Sequence, residues 1–260
     1  MLHLAWIGLL VALALALPVW GASLVLRDAS LADRVWSLLV AGPVLVYAWL
    51  SPIDARGAVM LGLLMAWAAR LGLYLTLRNW GHGEDRRYRD MRVRNEPHFG
   101  LKSLYLVFGL QATLAWVLGW PLLAVLAGAE AGRPFGLLDL LGALLTAAGL
   151  GMEALADAQL ARFRRTPAAA DAVMDRGLWA WSRHPNYFGE TCVWWGLGLM
   201  AWSAQGAAGA WSLVSPVMMT ALLLKVSGVT LLERDIGERR PAYRDYMART
   251  SAFIPWPPRR

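Results

Sequence analysis

Arg183, His184, Asn186, Tyr187 and Glu190 gather guanidinium, imidazole, amide, phenol and carboxylate groups within eight residues. Pro185 between them pushes His184 away from helical geometry and is itself well tolerated in the first turn of a helix. A loop therefore ends near His184 and a helix starts near Pro185. On that helix Asn186 and Glu190 lie four apart, on one face. An amide and a carboxylate so placed can grip a second amide. The carboxylate accepts from its NH2 group, and the Asn donates to its carbonyl. An interfacial loop with its polar groups in water or lipid headgroups has the same composition, and stays open as a reading.

Other polar residues stand against apolar runs. Asp33, in Ala32-Asp33-Arg34-Val35-Trp36, opens a span, where a carboxylate is favoured by the helix dipole or pairs with Arg34. Arg70, Tyr74 and Arg78 form a stripe at helical spacing. Arg78 can snorkel, whereas an Arg as deep as Arg70 should face a bundle interior or polar cavity. Glu153 and Asp157 are like charges at i,i+4 and repel, so donors or cations must lie nearby. A ribose diol is one such donor; buried Arg partners are the structural alternative. Arg164 and Arg165 suit phosphates through paired donors. The run Gly83-Glu84-Asp85-Arg86-Arg87-Tyr88 reads as a solvated loop with compensating charges. Tyr243 and Tyr246 near the C-terminus can stack on a base, contact phosphate or join an interfacial aromatic belt. Lys225, inside a span, needs a partner, by structural pairing or in catalysis.

The elements that must position these groups are membrane spans. The 260 residues are 58% hydrophobic with fifteen Trp, and the mean hydropathy is +0.43. Those values belong to integral membrane proteins. Apolar segments fall at about 3–26, 36–51, 57–77, 103–128, 135–160, 189–204 and 208–232. The second and sixth are short for a crossing of roughly 20 residues, and need flanking residues or tilting by neighbours. Of the 25 Lys and Arg, only Arg56 and Arg133 fall in even-numbered connections, and only Arg70 and Lys225 inside spans. By the positive-inside rule about seven helices put the N-terminus outside and the C-terminus in the cytoplasm. The expected organisation is one all-α membrane domain, 1–260, with 78–102, 161–188 and 233–260 as cytoplasmic loops and tail. The first apolar run lacks a basic n-region and reads as a retained helix rather than a cleaved signal. One cysteine, Cys192, excludes an intramolecular disulfide, and four scattered His suggest no metal site. The net charge of +7 lies mostly in short loops, so it reads as a topology determinant with an anionic cofactor as customer, not as a nucleic-acid surface. No Gly-x-Gly-x-x-Gly follows a strand and no P-loop occurs. A nucleotide must therefore bind between the helices and their cytoplasmic loops.

The run Ser182-Arg183-His184-Pro185-Asn186-Tyr187-Phe188-Gly189-Glu190 resembles the signature of the membrane-embedded steroid 5-alpha-reductase-like proteins, in particular their bacterial branch known as DUF1295. A shorter Arg-His-Pro-x-Tyr-x-Gly form also marks isoprenylcysteine carboxyl methyltransferases. Glu84-Asp85-x-Arg87-Tyr88 resembles the bacterial branch, and the tail from Glu233 to Pro255 the terminal signature of these families. The matches run from about residue 30 to 256. The resemblance implies NADPH as cofactor, contacted by Arg70, Tyr74, Arg78, Asp157, Arg164, Arg183, His184, Asn186, Tyr187, Glu190, Tyr243 and Tyr246. It implies that Asp33 faces a substrate carbonyl, protonated or bridged by water; burial near the membrane could raise its pKa enough. The chain departs from the family at four places. Ala32 stands where the steroid reductases have Gln, Asp33 where they have Glu, Trp67 where they have the Tyr that shares in polarising the carbonyl, and Glu153 where the match has Asn. Tyr88 is a candidate to replace that phenol.

The resemblance thus implies an NADPH-dependent reductase of a carbon–carbon double bond conjugated to a carbonyl, in a steroid-like or other lipid. It implies a bacterial inner-membrane location with the cofactor site facing the cytoplasm. An S-adenosylmethionine-dependent membrane methyltransferase and a non-catalytic dinucleotide-binding relative are the rival readings.

Overall fold

α1 (Leu2–Leu26) is apolar on every side, α2 (Leu31–Leu50) and α3 (Ala55–Asn79) nearly so, and each is long enough for one crossing. The computed structural model describes residues 1–128, 133–166, 172–226, 228–234 and 236–259, and every regular element among them is helical. Asp235 and Arg260 of the tail lie outside the described residues. Six helices are long and apolar enough to cross a membrane, so the chain is an all-helical membrane protein. It divides into two compact units, Met1–Gly136 with Met200–Ser215, and Leu137–Leu199 with Pro216–Arg260.

In the first unit α2 packs against α1, α3 and α5 (Phe99–Leu118). Tyr47, Trp67, Leu39, Met60, Leu64 and Phe108 are fully buried there. Between helices in lipid, close packing rather than the hydrophobic effect supplies the attraction. Leu2, Trp6, Leu10 and Leu17 on α1 and Leu73 and Leu77 on α3 stay exposed, as a lipid-facing surface requires. Asp54 caps α3 by accepting from the Gly57 amide at 2.7 Å. The short, charged α4 (Arg86–Asn95) is capped in the same way by Asp85, which accepts from the Arg87 amide at 2.9 Å.

Several boundaries differ from the sequence reading. The apolar run 103–128 is not one helix, because Pro121 stands in the first turn of α6 (Trp120–Ala127) and α5 ends at Leu118. Proline has no N–H to continue a ladder but suits a helix start. The two short spans take in polar flanks, so α2 begins at Leu31 and the sixth span begins at Pro185.

In the second unit α7 (Leu137–Arg164) and α8 (Pro185–Gln205, whose last turn belongs to the first unit) meet through small residues. A methyl group on Gly189 would lie 2.8 Å from the Gly149 carbonyl oxygen, and one on Gly196 2.2 Å from Thr146 Oγ1. Only glycine allows this approach, which sets the polar ends of the two helices side by side. The chain continues through α9 (Val214–Ala221), α10 (Val229–Glu233), α11 (Ile236–Arg239) and α12 (Ala242–Arg249).

Candidate functional site

In the first unit the turn between α1 and α2 is fixed by Glu84. Its Oε1 accepts from the Ala29 amide at 2.9 Å, and Arg92 donates to both of its oxygens at 2.8 and 3.1 Å. Arg92 also lies over the Phe99 ring, 4.7 Å from its centroid. Burial acts against the charge on Glu84, but these bonds outweigh it and hold its pKa below the usual carboxylate value. The acidic loop thereby docks α4 beside the first turn of α2.

That docking brings three side chains onto one carboxylate. Asp33 Oδ1 accepts from the Tyr88 hydroxyl at 2.6 Å and from Gln111 Nε2 at 3.3 Å. Its Oδ2 accepts from Arg87 Nη2 at 2.8 Å. Gln111 Nε2 also donates to the Tyr88 oxygen at 3.1 Å. Burial, then the Asp33 charge, pushes the Tyr88 hydroxyl well above the usual phenol range, so the phenol keeps its proton. Asp33, read from the sequence as a carbonyl-facing group either protonated or bridged by water, sits here as an acceptor of three hydrogen bonds, one from a guanidinium. The acidic proton of the cluster is on Tyr88.

Gln111 was missed by the sequence reading. Its signal was present: it is a lone amide in an otherwise apolar stretch of α5. Trp67 is fully buried. The expected stripe on α3 is intact at its lower end, with the Arg78 guanidinium 5.6 Å from the Tyr74 ring centroid, and Arg70 half-buried above them.

In the second unit, Arg183 and His184 turn towards the tail. Arg183 Nε and Nη2 donate to the two Glu233 oxygens, each at 2.7 Å, as a bidentate pair. Its Nη1 donates to the Met247 and Thr250 carbonyls at 3.0 and 2.6 Å. His184 Nε2 lies 2.9 Å from Glu233 Oε1, an acceptor, which assigns the proton to that nitrogen. Burial opposes the charge on Arg183, yet Glu233 holds its pKa above the usual value. Ser182 Oγ donates to the Phe253 carbonyl at 2.8 Å, and the buried Tyr246 hydroxyl donates to the Trp179 carbonyl. Tyr243 lies edge-on to Tyr246 at 5.2 Å, and burial, then the Glu233 charge, pushes its pKa up to about 12. Tyr187 stacks on His184 at 5.4 Å. These side chains form a latch between the 182–190 loop and the tail. Glu233 is its centre, a residue that the sequence reading placed only at the start of the tail signature.

The remaining candidates face each other across α7 and α8. Asn186 Nδ2 donates to Asp157 Oδ1 at 3.2 Å, and Glu190 Oε1 accepts from Trp194 Nε1 at 2.9 Å. Glu153, Asp157 and Glu190 are all buried. Arg164 is exposed at the end of α7. No group of three or more His, Cys, Asp or Glu that could hold a metal occurs among the described residues.

An all-helical membrane bundle with a carboxylate–phenol cluster and a basic, latched tail is the class that fold and site define. The chain belongs to the family described as Protein of unknown function (DUF1295), whose model matches residues 19–250. It is 27% identical to Uncharacterized protein C594.04c of Schizosaccharomyces pombe, over 96% of this chain and 79% of that protein. No solved structure matches it.

Proposed function

We propose that the protein is an NADPH-dependent reductase of a carbon–carbon double bond conjugated to a carbonyl in an apolar, steroid-like or other lipid. The observation that carries this reading is the Asp33–Tyr88 pair: a buried, protonated phenol 2.6 Å from a carboxylate. Reduction of an enone builds negative charge on the carbonyl oxygen, and a donor preorganised at that atom lowers the barrier. Tyr88 is the donor. Its O–H turns from Asp33 to the enolate oxygen and gives up its proton there, and the phenolate left behind takes a proton from water. Asp33 serves as the positioning group that holds this hydroxyl, and the acid assigned to it by resemblance moves to Tyr88.

The residues of the second unit fit a dinucleotide. Asn186 and Glu190 present the donor and acceptor that a carboxamide needs, and the buried Glu153 and Asp157 carboxylates suit ribose hydroxyls. Arg164 is free to meet phosphate at the exposed end of α7. A bound dinucleotide would supply the hydride. Arg183 and His184, whose polar atoms are engaged with the tail, and Tyr246, which donates from the tail to the Trp179 carbonyl, hold the loop from which Asn186 projects. The stripe Arg70, Tyr74 and Arg78 keeps the dinucleotide contact that the family resemblance implies.

Glu190→Ala and Asn186→Ala should each weaken NADPH binding by about tenfold, a hydrogen bond to a buried partner being worth roughly 1–3 kcal/mol. Titration of folded protein checks this, and unchanged affinity in both variants removes their role. The small molecule retained by gently purified protein separates the reductase from its rivals: NADP(H) supports it, S-adenosylmethionine a methyltransferase.

The same reading has seven crossings, with the C-terminus in the cytoplasm. The run Pro185–Arg239 has 55 residues, about 80 Å of helix if continuous, more than twice a bilayer core. Gly206, at φ 56, ends α8 in the left-handed region after one crossing length. A reporter after Arg260 should be cytoplasmic and one at Ala131 outside, both positions lying outside the described residues. Reporters on one side together overturn the assignment.

A further inference from the structure

Gln111 carries more than its bonds to Asp33 and Tyr88. Its Oε1 is buried and has no hydrogen-bond partner among the described residues. Turning the amide over would not help it. The carboxylate of Asp33 is an acceptor only, so the NH2 group must face it, and the carbonyl oxygen must face away. Burying an acceptor without a partner is costly, and such groups in native folds call for an explanation.

The local backbone points the same way. α5 contains a π-helical turn, Leu104–Gly109, which ends two residues before Gln111. One extra residue in a helix rotates everything beyond it by about 100° relative to a regular α-helix. Such turns recur where a side chain must be re-aimed at a functional site. Here the turn directs the amide to the Asp33–Tyr88 pair, and Gln111 leaves one acceptor over once that pair is satisfied.

We infer that Gln111 is a specificity-determining residue that recognises a hydroxyl group on the apolar ligand. The ligand O–H donates to Oε1 while Nε2 stays held by Asp33 and Tyr88. A ketone oxygen at this atom offers only lone pairs to a lone pair, so the ligand must bring the proton. The inference goes beyond the reductase reading, since it gives the polar end of the ligand a hydroxyl group at Gln111. Binding is measured without dinucleotide, so its failure is distinct from a failure of reduction.

The test uses two matched probe pairs, cholest-4-en-3-ol with cholest-4-en-3-one and farnesol with farnesal. Each is titrated at pH 8 against the full chain in detergent. At least one alcohol should bind wild type about tenfold more tightly than its carbonyl partner, the difference one buried hydrogen bond makes. Gln111→Met, close in volume but without donor or acceptor, should lose that preference by weakening the alcohol alone. Equal affinity within both pairs, a preference that survives in Gln111→Met, or no binding of any of the four probes overturns the proposal. Should Gln111→Met fail to fold, the wild-type preference decides alone.

Discussion

Tyr88→Phe is expected to transfer hydride about 100–1000-fold more slowly than wild type, the usual loss when one donor to a developing oxyanion is removed. The phenol is the group in the Asp33 cluster that combines burial with a retained proton, and Phe preserves its ring packing while deleting that proton. Asp33→Leu should match it, because it frees the Tyr88 hydroxyl from the 2.6 Å bond that positions it. Asp33→Asn keeps an acceptor for Tyr88 and should fall between wild type and these two variants. NADPH affinity should be unchanged in all three. The measurement is single-turnover NADPH oxidation with a reducible enone, normalised to bound cofactor so that loss of folded protein does not count. Equal rates in wild type, Tyr88→Phe and Asp33→Leu would place the acid elsewhere and reduce the cluster to a helix-start anchor for α2.

Glu233→Leu should cost about 3–5 kcal/mol of stability, since it leaves the nearly buried Arg183 guanidinium without its counter-charge. The Arg183 and Glu233 side chains are only 10% and 12% exposed, so water replaces little of what is lost. His184 loses its acceptor in the same substitution. The double variant Arg183→Met/Glu233→Leu should recover much of the loss, because no unpaired charge remains. It should not recover all, because Arg183 also ties the Met247 and Thr250 carbonyls. Thermal unfolding in one detergent gives the stabilities, and limited proteolysis shows whether the segment after Glu233 is released. An unchanged melting curve and cleavage pattern in Glu233→Leu would show that the latch contributes nothing. A double variant as unstable as the single would show that lost hydrogen bonds, not the stranded charge, dominate.

The two predictions separate two roles that the sequence merged. Arg183 and His184 sit in the most chemically loaded run of the chain and read as ligand-binding groups. The structure gives their polar atoms protein partners, and leaves Asn186 and Glu190 on the α8 face towards α7. In the opposite sense, the charged loop at 84–88 reads as solvent-facing, yet every residue of its pattern has a separate task. Glu84 fixes the α1–α2 turn, Asp85 caps α4, and Arg87 and Tyr88 reach Asp33.

The sequence by itself determined that the chain is a helical membrane protein, where most of its long helices run, and that Pro185 starts one of them. Those properties depend on local apolarity and on proline, which act over one or two turns. It also located Asp33 and Tyr88 as chemically capable. Only the tertiary structure decided that they meet, 55 residues apart, and that Gln111, 78 residues from Asp33, joins them. It alone paired Arg183 with Glu233 across 50 residues. A carboxylate or guanidinium looks alike in sequence whether it will hold a ligand or a neighbouring helix. The choice is made by which donors the packing brings within hydrogen-bond reach, and here that packing is set by glycines at the α7–α8 contact and by a π-helical turn in α5.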